Sequence, residues 1–468
     1  MSPCSRRSAG RLRRFATAPL LLTLAACGGS DAQKQPQDAN DSGEDSGAPA
    51  SPNLPAAACG LSHSLLPTEG MGALVSFERD PSLSLPAAGI NALLAAQGLS
   101  HLLTAVYDVE TYRVRYTTQD RGAAVEASGL VVLPKAAGSV PTLLWTHPTV
   151  GFADACAPSA AGLEGAAFPI LFASTGMAVA APDYLGMNGY GAPSTQLHPY
   201  IIAEPTAIAS LDNVRALFKL QAGPAAGLGT EADGQRLIHW GASEGGFAAL
   251  WTDRYQVGYA PELRTLATVA AVPPTDVVGL AYYGATELGP TAAGLAGVLL
   301  SMNDWYRADD LEAVLQPGPA AALPAELRAD CGDFPTLDAI SALEDLFTPA
   351  TLAAGASRDW SALPDWDCRL IESSLLGSAV PRGQDAPVFI VTAELDALVV
   401  AEPTRSDVPR LCAEGYDINY MECAGAGHVD GALDSLPQQW AWLQDRIAGA
   451  PLQGACAVPP AEICAPLN

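Results

Sequence analysis

Apolar and polar positions alternate with a period of two over residues 109–117, the pattern of a strand with one face half exposed, and residues 125–133 repeat it as a hairpin partner. Beyond this pair come short, mainly apolar runs at 142–145, 177–181, 236–240, 266–272 and 388–393, which fit strands buried on both faces. Stretches with helical spacing lie between them, including residues 204–220 and 247–255. Strand–helix alternation after an antiparallel start predicts an α/β fold with a doubly wound, mostly parallel sheet. No internal repeat is visible.

The first 26 residues stand apart from this pattern. Five arginines between Arg6 and Arg14 precede an apolar run over 16–26 that is too short for a stable membrane span, the order of an export signal. The run ends Leu24-Ala25-Ala26-Cys27-Gly28, which resembles a bacterial lipobox and makes Cys27 the expected lipidation site. By the same resemblance Gly28, where an acid is absent, implies the outer membrane. Residues 27–58 are rich in Gly, Ser, Asp, Gln and Pro, so they read as a flexible tether. The expected location is therefore the bacterial cell envelope or the exterior, with contact to membrane only through the lipid.

Composition narrows the class. The chain has 468 residues, 49% of them hydrophobic, which is ample for a large core. With 50 acidic against 24 basic residues the net charge is −26, and loss of residues 1–26 takes it to −31. Such a surface lacks the clustered Lys and Arg that a nucleic-acid backbone requires, so no nucleic-acid partner is expected. Of ten cysteines, eight lie beyond Cys27: Cys59, Cys156, Cys331, Cys368, Cys412, Cys423, Cys456 and Cys464. An even number in an exported chain suggests up to four disulfides. No C-x-x-C or H-E-x-x-H spacing occurs, so neither a metal nor a cofactor is expected.

The sharpest chemical signal is RLIHWGASEGGFAAL at 236–250. Gly241-Ala242-Ser243-Glu244-Gly245 is G-x-S-x-G between an apolar strand and a helix, the context of a nucleophile elbow. Glycines there permit close strand–helix approach, and the helix N-terminus favours negative charge near Ser243. A serine on such an elbow is followed along the chain first by its acid and then by its base. Of six histidines only His428 lies beyond Ser243, in the small-residue loop 423–428 after a strand-like stretch at 416–421. Asp396, 32 residues before His428 and just after the run 388–393, is the expected acid. Glu394 reads as a structural neighbour, and Asp276 is the second choice. The oxyanion donors are expected to be the N–H of Glu244 and that of Thr149, with Val150 as the alternative. The Glu244 side chain reads as an exposed carboxylate at a helix start, His147 as a loop brace, and Asp183-Tyr184-Leu185-Gly186 as a structural turn.

Taken together, residues 142–159 (TLLWTHPTVGFADACAPS), 177–191, 198–217, 237–251 and the stretches from 388 to 428 resemble the secretory lipase family, the lipase-A-like branch of the α/β-hydrolases. The resemblance spans roughly residues 105–445. It implies an α/β-hydrolase fold with a large, mainly helical cap inserted before the strand that carries the triad acid. It also implies hydrolysis of carboxylic esters, often acylglycerols, with Ser243 as nucleophile, Asp396 as acid and His428 as base. Pro148 departs from the His-Gly common at this position and has no N–H to offer. The expected division is a signal at 1–26, tether at 27–58, core at 59–276 and 386–468, and cap at 277–385. The family further implies Cys156 paired with Cys331 or Cys368, and Cys412 with Cys456 or Cys464. A small-molecule or lipid ester substrate and a monomer are expected. The rival readings are a serine peptidase, a polyester or phenolic-ester hydrolase on the same fold, and a tethered binding protein without catalysis.

Overall fold

The computed structural model describes residues 52–55, 59, 61, 63–100, 103–382 and 386–464. The signal segment, Cys27 and most of the tether therefore lie outside the described residues.

The nine strands are β1 (Leu74–Asp80), β2 (Val109–Asp120), β3 (Ala123–Pro134), β4 (Gly138–Thr146), β5 (Ala178–Pro182), β6 (Thr230–Ala242), β7 (Thr265–Ala271), β8 (Val388–Ala393) and β9 (Ile418–Cys423). They form one sheet in the order β1-β2-β3-β5-β4-β6-β7-β8-β9. The pairs β1/β2, β2/β3 and β3/β5 are antiparallel, and all pairs from β5 to β9 are parallel. The expected hairpin is β2–β3, closed by Arg121 and Gly122, both with positive φ as a two-residue turn demands. Arg121 is held there by Asp120 and by the carbonyl of Trp305. Strand β1 was not legible in the sequence, since its burial hardly alternates and Val75 and Phe77 remain exposed.

Alternation along β3 sends Val131 and Leu133 to one face and Leu130 and Val132 to the other. Helices Ala203–Ala222 and Glu244–Tyr259 cover the first face through residues such as Leu211, Val214 and Trp251. Helices Gly162–Ser174 and Leu436–Ile447 cover the second with Phe172 and Leu443. This is the doubly wound arrangement that the run of apolar strands implies.

Between β7 and β8 the chain leaves the sheet and builds six helices, from Val277–Thr286 to Pro364–Glu372. Five of them start on proline, whose fixed φ suits the first helical turn and whose missing N–H costs nothing there. Leu295, Leu299, Trp366 and Leu370 bury the inner faces against the core.

Four disulfides tie these parts together. Cys156–Cys331 joins the segment after β4 to the insertion, and Cys412–Cys456 anchors the C-terminal stretch, each one of the two pairings the family resemblance implies. Cys59–Cys368 and Cys423–Cys464 complete the set. Within the stretch expected to be tether, Asn53 N–H donates to the Gly258 carbonyl at 3.1 Å and Leu54 packs on the core. One leucine and one backbone bond suffice to dock a segment whose composition otherwise reads as unstructured.

Cys156–Cys331 spans 175 residues. In the chain-entropy account a loop of this size restricts the unfolded state by about 5 kcal/mol, an upper figure when other crosslinks share the loop. The double variant Cys156→Ser/Cys331→Ser is expected to melt several degrees lower in calorimetry. An unchanged midpoint would refute the stapling role of this bond.

Candidate active site

Strand β6 delivers Ser243 at its C-terminal end, in the middle of the sheet. Ser243 has φ 58° and ψ −122°, a left-handed conformation that side chains normally avoid, and it is held by its own N–H to the Ala271 carbonyl (2.8 Å) and by its carbonyl to Phe247 N–H (3.0 Å). The flanking glycines are steric requirements. A Cβ on Gly241 would meet the Gly245 carbonyl oxygen at 2.2 Å, and one on Gly245 would meet the Thr146 carbonyl oxygen at 2.0 Å. The Thr146 hydroxyl donates to the Gly245 carbonyl at 2.7 Å, which ties the end of β4 to the first turn of the helix.

Chain segments 185 residues apart meet here: His428 Nε2 lies 2.8 Å from Ser243 Oγ. His428 Nδ1 lies 2.6 Å from Asp396 Oδ2, and the Asp396 side chain is fully buried. Its other oxygen accepts the N–H groups of Leu398 (2.9 Å) and Val399 (2.8 Å), which fixes the plane of the carboxylate. The three residues expected from sequence thus form one hydrogen-bonded line. The two other acids are engaged elsewhere: Asp276 caps helix Val277–Thr286 by accepting from Gly279 N–H, and Glu394 accepts from Gly425 N–H in the His428 loop.

Glu244 opens the helix Glu244–Tyr259, so its N–H has no partner within the helix. Thr149 lies in the loop after β4, its hydroxyl 3.1 Å from that of Tyr200. Gly151 in the same loop has φ 124°, and a Cβ there would strike Cys156 Sγ at 2.6 Å, so the bend also serves the disulfide. His147 is fully buried, its Nδ1 2.7 Å from the Pro148 carbonyl, and burial pushes its pKa down, as suits a neutral brace. Asp183 accepts from the hydroxyls of Ser128 and Ser159, and burial raises its pKa to about 6; the Tyr184 hydroxyl donates to the His147 carbonyl. That turn is structural, as its sequence suggests.

One expectation fails. The Glu244 side chain is not exposed: it is 2% accessible, with Oε1 2.6 Å from His198 Nε2. The helix that begins here is covered on nearly every side, so an acid in its first turn requires a buried partner. His198 carries no sequence signal of its own, because it precedes Ser243, whereas the base in this fold follows the nucleophile. An acid set just before Phe247-Ala248-Ala249-Leu250-Trp251 was the available signal.

Above Ser243 opens a small cleft. Its wall combines Tyr200 and Leu398 from the core with Val277, Leu280, Leu295 and Val298 from the insertion. The surface that faces Ser243 is thus largely aliphatic, and half of its lining residues belong to the inserted helices. Among the described residues no cluster has the makeup of a metal site.

A family profile described as secretory lipase matches residues 168–318 and 341–455. A secreted triacylglycerol lipase of Malassezia globosa is 22% identical over 360 residues, covering 74% of each chain. A protein of Mycobacterium tuberculosis named as a probable inactive lipase is 27% identical over 293 residues, 59% of this chain and 56% of its own. Among solved structures, the rice cell wall degrading esterase LipA of Xanthomonas oryzae superposes with a TM-score of 0.63 at 20% identity, covering 81% of this chain and 98% of that one. The chain belongs to the secretory lipase family, an α/β-hydrolase that acts on carboxylic esters.

Proposed function

We propose that the protein is a serine esterase or lipase of the cell envelope, held by a lipid on Cys27, that works through Ser243, His428 and Asp396 and an acyl-enzyme. The observation that carries this reading is the line Ser243 Oγ, His428 Nε2 (2.8 Å), His428 Nδ1, Asp396 Oδ2 (2.6 Å) on a strained elbow beneath an aliphatic cleft. His428 takes the serine proton as Oγ attacks the ester carbonyl, and Asp396 keeps the ring in the tautomer with its free nitrogen toward Ser243. The N–H groups of Glu244 and Thr149 receive the oxyanion, aided by the helix N-terminus. Collapse expels the alcohol, protonated by His428, and water then releases the acid by the same route. The inserted helices act as a cap that offers an apolar surface to the acyl or alcohol part of the ester. No helix among the described residues is long and apolar enough to cross a membrane, so attachment would depend on the N-terminal lipid.

The test is hydrolysis of p-nitrophenyl esters from acetate to palmitate, with labelling by a fluorophosphonate. The expected result is turnover of at least one ester and a single label on the peptide containing Ser243. Folded, oxidised protein that neither hydrolyses any ester nor takes the label would overturn the reading in favour of a non-catalytic binder.

A further inference from the structure

One short segment reaches both residues assigned above to the oxyanion hole. Between Leu197 and the helix Ala203–Ala222 lie His198 and Tyr200, and each makes a separate contact near Ser243. His198 Nε2 is 2.6 Å from Glu244 Oε1, and the Tyr200 hydroxyl is 3.1 Å from the Thr149 hydroxyl. We propose that residues 198–201 form a clamp that sets the two oxyanion donors, with His198 and Tyr200 as positioning residues for the Glu244 and Thr149 N–H groups. The proposal rests on the serine-hydrolase reading of Ser243.

The clamp is rigid. Ile201 has φ 55°, a left-handed backbone that a β-branched side chain adopts only when its surroundings impose it. His198 is fully buried; its ring stacks on Tyr184 at 5.7 Å, and its Nδ1 lies 3.0 Å from the Leu185 carbonyl. Phe152 packs edge-on against Tyr200 at 5.2 Å. The first turn of the following helix is pinned by Glu204 to His63 at 2.6 Å. A helix start anchored in this way cannot drift, and the two contacts it extends cannot drift either.

The chemistry of the His198 contact adds a second reason. The Leu185 carbonyl only accepts, so Nδ1 carries a proton. A ring nitrogen 2.6 Å from a carboxylate oxygen requires another proton between them. The pair is therefore neutral overall, and it fixes Glu244 without leaving an unbalanced negative charge one residue from the oxyanion. Tyr200 contributes differently. Pro148 supplies no N–H; Thr149, the next residue, does, and its hydroxyl contact with Tyr200 ties down that loop.

Such a role predicts losses in the transition state and not in substrate binding. Tyr200→Phe removes one oxygen from an otherwise unchanged ring, and His198→Gln removes the neutralising partner while keeping a donor. With p-nitrophenyl butyrate, and active sites counted by fluorophosphonate titration, kcat is expected to fall about 10-fold in Tyr200→Phe and about 100-fold in His198→Gln, with KM within twofold of the parent. A butyl trifluoromethyl ketone, whose adduct with Ser243 places an oxyanion in the hole, should lose affinity by the same factors. A merely structural role would not make inhibition and kcat move together at constant KM. If His198→Gln fails to fold, Tyr200→Phe decides alone. An unchanged kcat, or a rise in KM with kcat and inhibition unaltered, overturns the clamp. Ser243→Ala, assayed with the same ester per total folded protein, separates the two ideas: surviving turnover there overturns the serine reading and the clamp together, whereas turnover lost there but intact in Tyr200→Phe and His198→Gln overturns the clamp alone.

Discussion

Ser243→Ala is expected to lower kcat for ester hydrolysis by about five to six orders of magnitude while the protein stays folded. The size follows from the way triad members act as a unit, so that loss of the nucleophile costs about as much as loss of all three. What remains is the contribution of the oxyanion donors and the cleft, about 10³-fold over water. The substitution removes one buried oxygen and adds no atom, so it creates no clash at the elbow. Asp396→Asn should cost about 10⁴-fold, because an amide facing His428 Nδ1 favours the tautomer that presents a proton to Ser243 instead of a lone pair. The Asp396→Asn value is read from kcat with active sites titrated, the Ser243→Ala value per total folded protein because that variant has no serine to titrate, and both with circular dichroism matched to the parent. A Ser243→Ala protein within tenfold of the parent would remove Ser243 from the mechanism.

Gly245→Ala is expected to be the most damaging single methyl in the molecule. Its Cβ would lie 2.0 Å from the Thr146 carbonyl oxygen, 2.7 Å from that carbonyl's carbon and 2.8 Å from the His147 oxygen. All three are backbone atoms, so no rotamer change relieves the overlap. Either the end of β4 or the first turn of Glu244–Tyr259 must move by more than about 1 Å, and both carry oxyanion donors under the reading above. The expected result is a loss of about 3 kcal/mol in stability and at least 100-fold in kcat. Gly227→Ala is the control: nothing lies within 4 Å of its Cβ, so its melting point and kcat should match the parent's. If the two variants behave alike, the elbow is not the close-packed junction described.

The apolar runs marked the central parts of the parallel strands, missing the first six residues of Thr230–Ala242 and the first four of Gly138–Thr146, because only the parts buried on both faces must be apolar throughout. The antiparallel edge strand Leu74–Asp80 escaped notice for the converse reason: with one neighbour and open faces, it is under little constraint on its residues. The three residues of the proposed triad were accessible from order alone. The elbow pointed to Ser243, a single downstream histidine to His428, and the strand between them to Asp396. Choosing among Asp396, Glu394 and Asp276 was harder, since all three lie at strand ends and only the approach of His428 distinguishes them.

By itself, then, the chain determined the fold class and singled out Ser243 and His428 as the candidate nucleophile and base, through local signals: strand and helix periodicity, two glycines about a serine, and the position of one histidine. Tertiary structure alone decided the pairing of the eight cysteines, the burial of Glu244 against His198, and the contact of Tyr200 with Thr149. Those features join residues 41 to 309 positions apart, and local periodicity says nothing about contacts at that range. Glu244 shows the difference most clearly: the helix start was legible from its neighbours, but whether its carboxylate meets water or a histidine depends on which segment of the chain folds over it.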